Sequence, residues 1–252
     1  MEQRKIALVT GGSRGLGRDM AINIAKKGLD VVITYHSNKE AASSVLEEIE
    51  KTGRKGHALQ LDTSNTSGFN HFYDELGKLL TSEFGSSHFD YLINNAGTGL
   101  YGTVADTTEE QFDEMLNIHF KGVYFLTQKA LTMMNDGGGI VNVSSGLARF
   151  SFPGFSAYAS MKGAIEVYTR YLAKELGSRQ IKANVVAPGA VATDFAGGAN
   201  RDGERKEVIA SVTALGRVGE AEDIGSIVAF LCTEDAHWIT AQRIEASGGT
   251  LI

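Results

Sequence analysis

Apolar positions along the chain fall into two alternating patterns. Short runs rich in Val, Ile and Leu occur at 5–10, 31–35, 57–62, 91–94, 140–144, 183–187 and 243–245. Between them lie longer stretches whose apolar residues recur at helical period, at 16–27, 39–52, 67–83, 108–135, 155–178 and 221–232. β-branched runs separated by helical segments of about a dozen residues predict βαβ units and a parallel sheet. The runs KIALVT and IVNVSS show little alternation, as strands covered on both faces do. Crossovers in such a sheet are right-handed. The pattern predicts an α/β fold, a single-domain doubly wound parallel sheet of about seven strands with helices on both faces. No linker, repeat or low-complexity tract divides 1–252.

Local signals refine two places. Thr107 followed three residues later by Glu110 has the form of a capping box opening 108–135. The segment AGGANRDGER (196–205) is small, polar and glycine-rich, and reads equally as a lid over a ligand or as an ordinary surface loop.

Composition narrows the class. The chain has 252 residues, 42% apolar and 21% charged, enough for a large core without disulfides or metals. A net charge of −6 argues against nucleic acid or an anionic membrane as partner. Cys232 is the sole cysteine, so no internal disulfide forms and a reducing compartment is expected; its place in IVAFLC reads as buried core. The apolar run at 6–9 is too short for a signal segment, and no run approaches the roughly 20 residues of a membrane span. The expectation is a soluble cytoplasmic protein.

Two clusters carry chemistry. Gly11, Gly15 and Gly17, with Ser13 and Leu16 among them, follow the first strand and open the first helix. Missing Cβ atoms there let backbone approach a pyrophosphate at a helix N-terminus. A site for NAD expects an acid at the end of the second strand, and none occurs from 34 to 39. Arg14 in the loop can grip a 2′-phosphate, with Tyr35, His36, Ser37 and Lys39 nearby. NADP(H) is therefore favoured, with NAD(H) the alternative. In AYASMKGAI, Tyr158 and Lys162 lie one helical turn apart on one face. A cation at that distance favours phenolate, so Lys162 is expected to lower the pKa of Tyr158.

In this order and spacing the motifs resemble the short-chain dehydrogenase/reductase family in its single-domain branch, whose fold is the Rossmann sheet. The resemblance spans TGGSRGLG (10–17), LDTS (61–64), NNAG (94–97), NIHFKG (117–122), NVSS (142–145), YASMK (158–162), NVVAPGAVATD (184–194) and GRVGEAEDIGSIVAFL (216–231). It implies that Asp62 and Thr63 lie beside the adenine and that Asn95, Ala96 and Gly97 line the cofactor. Pro188, Gly189, Val191 and Thr193 would hold the nicotinamide end. The family's serine stands thirteen residues before its tyrosine, which selects Ser145 over Ser144. Ser145, Tyr158 and Lys162 would then be catalytic, with Asn117 holding a water that relays protons through Lys162. The family also implies a homodimer or homotetramer, formed through 108–135, 155–178 and the C-terminal strand.

Phe150, Phe152, Phe155, Leu100, Tyr101 and Phe195 border the cleft by the same resemblance, and suit a small hydrophobic or aromatic ketone. Arg149 is read as solvent-facing or as a contact for an acid group. The leading expectation is an NADPH-dependent carbonyl reductase. Its rival is a 3-oxoacyl-carrier-protein reductase, for which Lys121 and Lys129 would meet an acidic carrier. From another class, a non-catalytic dinucleotide sensor or scaffold has the same fold.

Overall fold

The computed structural model describes residues 4–198 and 200–252; Met1–Gln3, within the N-terminal stretch read for a signal, and Ala199, within 196–205, lie outside the described residues. Seven strands, β1 (Ile6–Val9), β2 (Asp30–Tyr35), β3 (Gly56–Gln60), β4 (Phe89–Asn94), β5 (Met134–Val143), β6 (Lys182–Pro188) and β7 (Arg243–Ala246), form one sheet in the order β3-β2-β1-β4-β5-β6-β7. Every pairing is parallel, with Val9 opposite both Ile33 and Ile93. All seven predicted strands are present.

The helices cover both faces. On one side α1 (Gly15–Lys26), α2 (Lys39–Lys51) and α8 (Glu222–Leu231) bury Met20, Ile24, Val45, Ile49 and Val228 against Val31, Ile33 and Ile93. On the other, α3 (Phe69–Leu79), α5 (Gly122–Ala130) and α6 (Ser156–Glu175) bury Phe72, Leu76, Leu126 and Leu172 against Leu8, Val32, Leu92 and Ile140. Strand order reverses between β1 and β4, and the crevice this opens at their carboxyl ends is where open α/β sheets bind ligands.

Three predicted elements differ. The helix expected over 108–135 is α4 (Glu109–Leu116), a wider π turn (Asn117–Lys121) and α5, after which β5 begins at Met134. Gly137–Gly139 make this early start feasible: Met134 pairs with Phe89, the register then shifts, and Gly139 pairs with Tyr91. The capping box exists one residue later than expected. Thr108 Oγ1 accepts from the Gln111 amide at 3.3 Å and Gln111 Oε1 accepts from the Thr108 amide at 3.0 Å, whereas Thr107 Oγ1 donates to the Thr103 carbonyl. The segment 196–205 leads into a helix, α7 (Gly203–Ser211), that buries no residue and so carries no apolar stripe to read.

Close contact between α1 and α8 depends on Gly225. A Cβ there would lie 1.9 Å from Asp19 Oδ2 and 2.9 Å from the Asp19 backbone carbon, and Asp19 is itself held by Asn23 at 3.0 Å. Gly225→Ala is expected to force the helices apart and cost about 1–3 kcal/mol, read as a lower midpoint of thermal unfolding; an unchanged midpoint contradicts this packing.

Candidate active site

The glycine loop and NNAG form one unit at the carboxyl ends of β1 and β4. Thr10 Oγ1 donates to the Ile93 carbonyl at 3.2 Å and accepts from the amides of Asn95 (3.0 Å) and Ala96 (3.1 Å). Asn95 Nδ2 returns to the carbonyls of Thr10 (2.9 Å) and Gly11 (3.2 Å). Gly11 has φ +64°, and a Cβ on it would stand 2.9 Å from Ala96 Cα; one on Gly17 would stand 2.1 Å from the Gly11 carbonyl oxygen. No side chain caps α1, so its first turn opens on the cavity beyond.

That cavity, about 1390 Å³, is walled by Gly11, Ser13, Arg14, Gly15, Leu16 and Gly17 of the first loop and by Tyr35, the last residue of β2, and His36 after it. Asp62, Thr63, Asn95, Ala96, Gly97, Asn117, Pro188, Gly189, Val191 and Thr193 line it too, as do Ser145, Tyr158 and Lys162. Nearly every residue singled out in the sequence is thus brought together. Ser37 and Lys39 are exposed and stand off the wall. Burial works to raise the Asp62 pKa, but hydrogen bonds from the Ser64 hydroxyl (2.7 Å) and amide (2.9 Å) outweigh it and hold the carboxyl below its usual value.

Ser145 lies two residues past the end of β5, where its Oγ accepts from the Leu147 amide at 3.2 Å and caps the short turn Gly146–Ala148. Tyr158 and Lys162 project from the first turns of α6, with Lys162 Nζ 5.5 Å from the Tyr158 ring centroid. Lys162 Nζ donates to the Val143 carbonyl at 2.7 Å. Both side chains are buried, and burial brings the lysine down to about 8. The expectation that Lys162 lowers the Tyr158 pKa is reversed here: burial raises the phenol pKa, and a hydrogen bond with Ser145 offsets only part of the rise. A phenol that stays protonated at neutral pH is suited to donate a proton.

Behind these groups lies an ion network. Arg243 Nε donates to Glu166 Oε1 at 2.7 Å, its Nη1 to Glu245 Oε2 at 2.8 Å and its Nη2 to the Ser145 carbonyl at 3.3 Å. Ser144 Oγ, unselected by the spacing, bonds Glu166 Oε1 at 2.8 Å, one helical turn past Lys162. Arg149 grips Glu245 with two nitrogens, each at 2.7 Å, and with Arg243 and Ser247 this overcomes burial to hold that carboxyl at about 2. Arg149 is exposed to solvent, as one of its two sequence readings has it, and its guanidinium is engaged by Glu245 rather than free for a substrate acid. Its partner Glu245 lies 96 residues on, beyond any local pattern.

One functional candidate has no signal in the sequence. Asn117 lies on the cavity wall at the start of the π turn, and its carbonyl accepts from the Gly122 amide. It is His119, two residues on, whose ring packs edge-to-face on Tyr158 with centroids 5.0 Å apart. A histidine within an apolar helical run reads as packing.

The outer cavity is aromatic. Tyr101, Phe150, Phe152, Phe155 and Phe195 line it, Tyr101 and Phe155 meeting edge-to-face at 5.7 Å. Leu100 packs instead against Met115, Tyr158 and Met161. Glu110, Asp113 and Glu114 from α4 complete the mouth.

A family model described as Enoyl-(Acyl carrier protein) reductase matches residues 11–250. A Short-chain type dehydrogenase/reductase of Picea abies is 36% identical over 97% of this chain and 92% of its own. The chain belongs to the short-chain dehydrogenase/reductase family. Among other short-chain dehydrogenase/reductase relatives, the hydroxynaphthalene reductase-like protein Arp2 of Metarhizium brunneum is 35% identical, over 98% of this chain and 95% of its own. The solved structure of the angucycline C-6 ketoreductase LanV with bound NADP superposes with a TM-score of 0.93 at 38% identity, covering 98% of this chain and 95% of that one. The same enzyme has been solved with NADP and rabelomycin.

In this short-chain dehydrogenase/reductase the glycine loop tolerates no side chain at Gly17. Gly17→Ala is expected to displace the loop from Asn95 and weaken dinucleotide binding by about tenfold or more, measured by quenching of protein fluorescence; unchanged affinity contradicts the assignment of this loop.

Proposed function

We propose that this chain is an NADPH-dependent ketoreductase that transfers hydride between the nicotinamide and an aromatic or hydrophobic ketone, the whole chain acting as one catalytic unit. The observation that carries this is the Ser145–Tyr158–Lys162 group, buried at the sheet's carboxyl edge and opening on an aromatic mouth. The ketoreductase and hydroxynaphthalene reductase-like relatives support it.

The residues fit the cofactor. The cradle of Gly11 and Gly17, which a Cβ would fill, admits backbone close to a pyrophosphate, and the uncapped start of α1 favours its charge. Arg14 and His36 share the cavity wall with the glycine loop, and with no acid at the end of β2 they would meet a 2′-phosphate there. Pro188, Gly189, Val191 and Thr193, on the same wall, would hold the nicotinamide end. When bound, NADPH supplies the hydride.

The protein's own groups manage the oxygen. Ser145 Oγ–H donates to the carbonyl oxygen, as an oxyanion-hole donor whose loss costs about 10²–10³ in rate. Tyr158, protonated at neutral pH, gives its proton to the developing alkoxide. The phenolate left behind sits beside the Lys162 ammonium, which stabilises it.

The carrier-protein reductase reading loses support at the mouth. Glu110, Asp113 and Glu114 would repel an acidic carrier, while Lys121 and Lys129 are off the wall and Lys129 bonds Asn70 Oδ1 at 2.6 Å. An inert sensor would not need the buried Ser145–Tyr158–Lys162 set. No described helix is long and apolar enough to cross a membrane. We place the enzyme in the cytoplasm as a homodimer or homotetramer, a reading supported by Phe112, Tyr124, Phe125 and Tyr171, all exposed on α4, α5 and α6.

Tyr158→Phe is expected to lower kcat for ketone reduction by about 10³ or more, with folding intact; NADPH oxidation at the wild-type rate contradicts the mechanism. Arg14→Ala is expected to raise KM for NADPH about tenfold and leave KM for NADH unchanged, and a clear NADH preference in the wild type contradicts the cofactor assignment. Lys162 is charged below about 8 and neutral above it, so reduction should decline as pH rises through that value. A profile rising across the same range contradicts the role given to its charge.

A further inference from the structure

One aromatic ring of the outer cavity wall is seated on a glycine. Gly154 has φ +90°, a conformation that favours glycine, and a Cβ on it would stand 2.2 Å from Tyr101 Cε2 and 2.7 Å from both Cδ2 and Cζ. A contact in the plane of the ring would leave the two flanking carbons much farther off than the one between them, so Gly154 lies against a face. The two loops are tied at this point: the Gly102 amide donates to the Gly154 carbonyl at 2.9 Å, and Phe155 meets Tyr101 edge-to-face at 5.7 Å. Gly154 and Phe155 are consecutive, yet Tyr101 stays 67% exposed, more than a ring covered on both faces would keep. Its free face opens on the cavity it lines.

This ring stands one tier out from the reacting groups. Leu100, the residue before it, turns inward onto Met115, Tyr158 and Met161. The rings packed on Tyr158 are those of His119 and Phe195, with centroids 5.0 and 5.9 Å away. Among the described residues Tyr101 pairs with neither of them and meets Phe155 instead. A single aromatic ring whose carbonyl sits at Tyr158 engages the inner tier, and further rings fused to it extend toward the outer one.

We propose that Tyr101, seated on Gly154, is a specificity-determining residue that favours fused-ring aryl ketones over single-ring ones, its free face stacking on the ring farthest from the carbonyl. The inference rests on the ketoreductase reading. Flat rings pair well when parallel and offset. A plate already held by Gly154, Phe155 and the bond between Gly102 and Gly154 loses little freedom when a ligand stacks on it. The contact uses the ring and not the hydroxyl, so phenylalanine serves as well as tyrosine.

The test compares wild type, Tyr101→Phe and Tyr101→Leu with NADPH on acetophenone and on a linear three-ring dihydroanthracenone. Leu removes the plate, so KM for the three-ring ketone should rise about three- to tenfold. The kcat for both ketones and the KM for acetophenone and NADPH should hold, which a merely deformed loop would not allow. Phe keeps the plate and should match the wild type. A Leu variant with the wild-type KM for the three-ring ketone, equal rises for both ketones, or Phe as impaired as Leu overturns the proposal. The wild type alone gives a second reading that needs no variant. Its KM should be lower for the three-ring ketone than for the analogue whose far ring is saturated, and equal or reversed values overturn the proposal. A wild type active only on the three-ring ketone shows the preference at its extreme and supports it. A wild type that reduces no ketone overturns the ketoreductase reading and this inference with it. One that reduces acetophenone but not the three-ring ketone overturns this inference alone.

Discussion

The catalytic edge depends on one hydrogen bond, from Lys162 Nζ to the Val143 carbonyl at 2.7 Å. An ammonium taken out of water is costly unless its hydrogens find acceptors, and the last carbonyls of a parallel strand supply one at a fixed place. The bond ties α6 to β5, so Tyr158, one turn earlier on the helix, faces Ser145 just past the end of the strand. The same burial sets the proton chemistry. It lowers the lysine to about 8 and raises the phenol, leaving an acid that is loaded at neutral pH beside a cation ready for its conjugate base.

Charges farther back keep this edge from slipping. Glu166 accepts from both Ser144 and Arg243, and Arg243 reaches the Ser145 carbonyl, so helix α6, the segment that follows β5 and strand β7 are held by shared atoms. On the cofactor side backbone does the equivalent work. Thr10 and Asn95 lock the glycine loop to NNAG, and the missing Cβ atoms at Gly11 and Gly17 are needed for that packing as well as for a dinucleotide.

Much of this was legible in the chain. The seven strands are short apolar runs with little alternation, and burial on both faces leaves that pattern. The glycine loop, Tyr158 and Lys162 show as local spacings, and the order of the motifs led to Ser145. What escaped depends on distant partners or on absent patterns. Helix α7 buries nothing and so shows no stripe, and β5 starts early by pairing with Phe89 across a bulge. Arg149 and Glu245 meet only in the fold, and the place of His119 depends on Gly97 and Tyr158. The rise in the Tyr158 pKa also required the fold, since spacing reports the nearby cation but not how far burial outweighs it.

The central claim is hydride delivery to a ketone carbon at this edge. Its most direct measurement uses NADPH deuterated at both C4 positions, an aryl ketone and the purified protein, with mass spectrometry of the product. The account requires a secondary alcohol carrying one deuterium on the former carbonyl carbon. An alcohol with only protium at that carbon, or no alcohol from any aryl ketone tried, contradicts it.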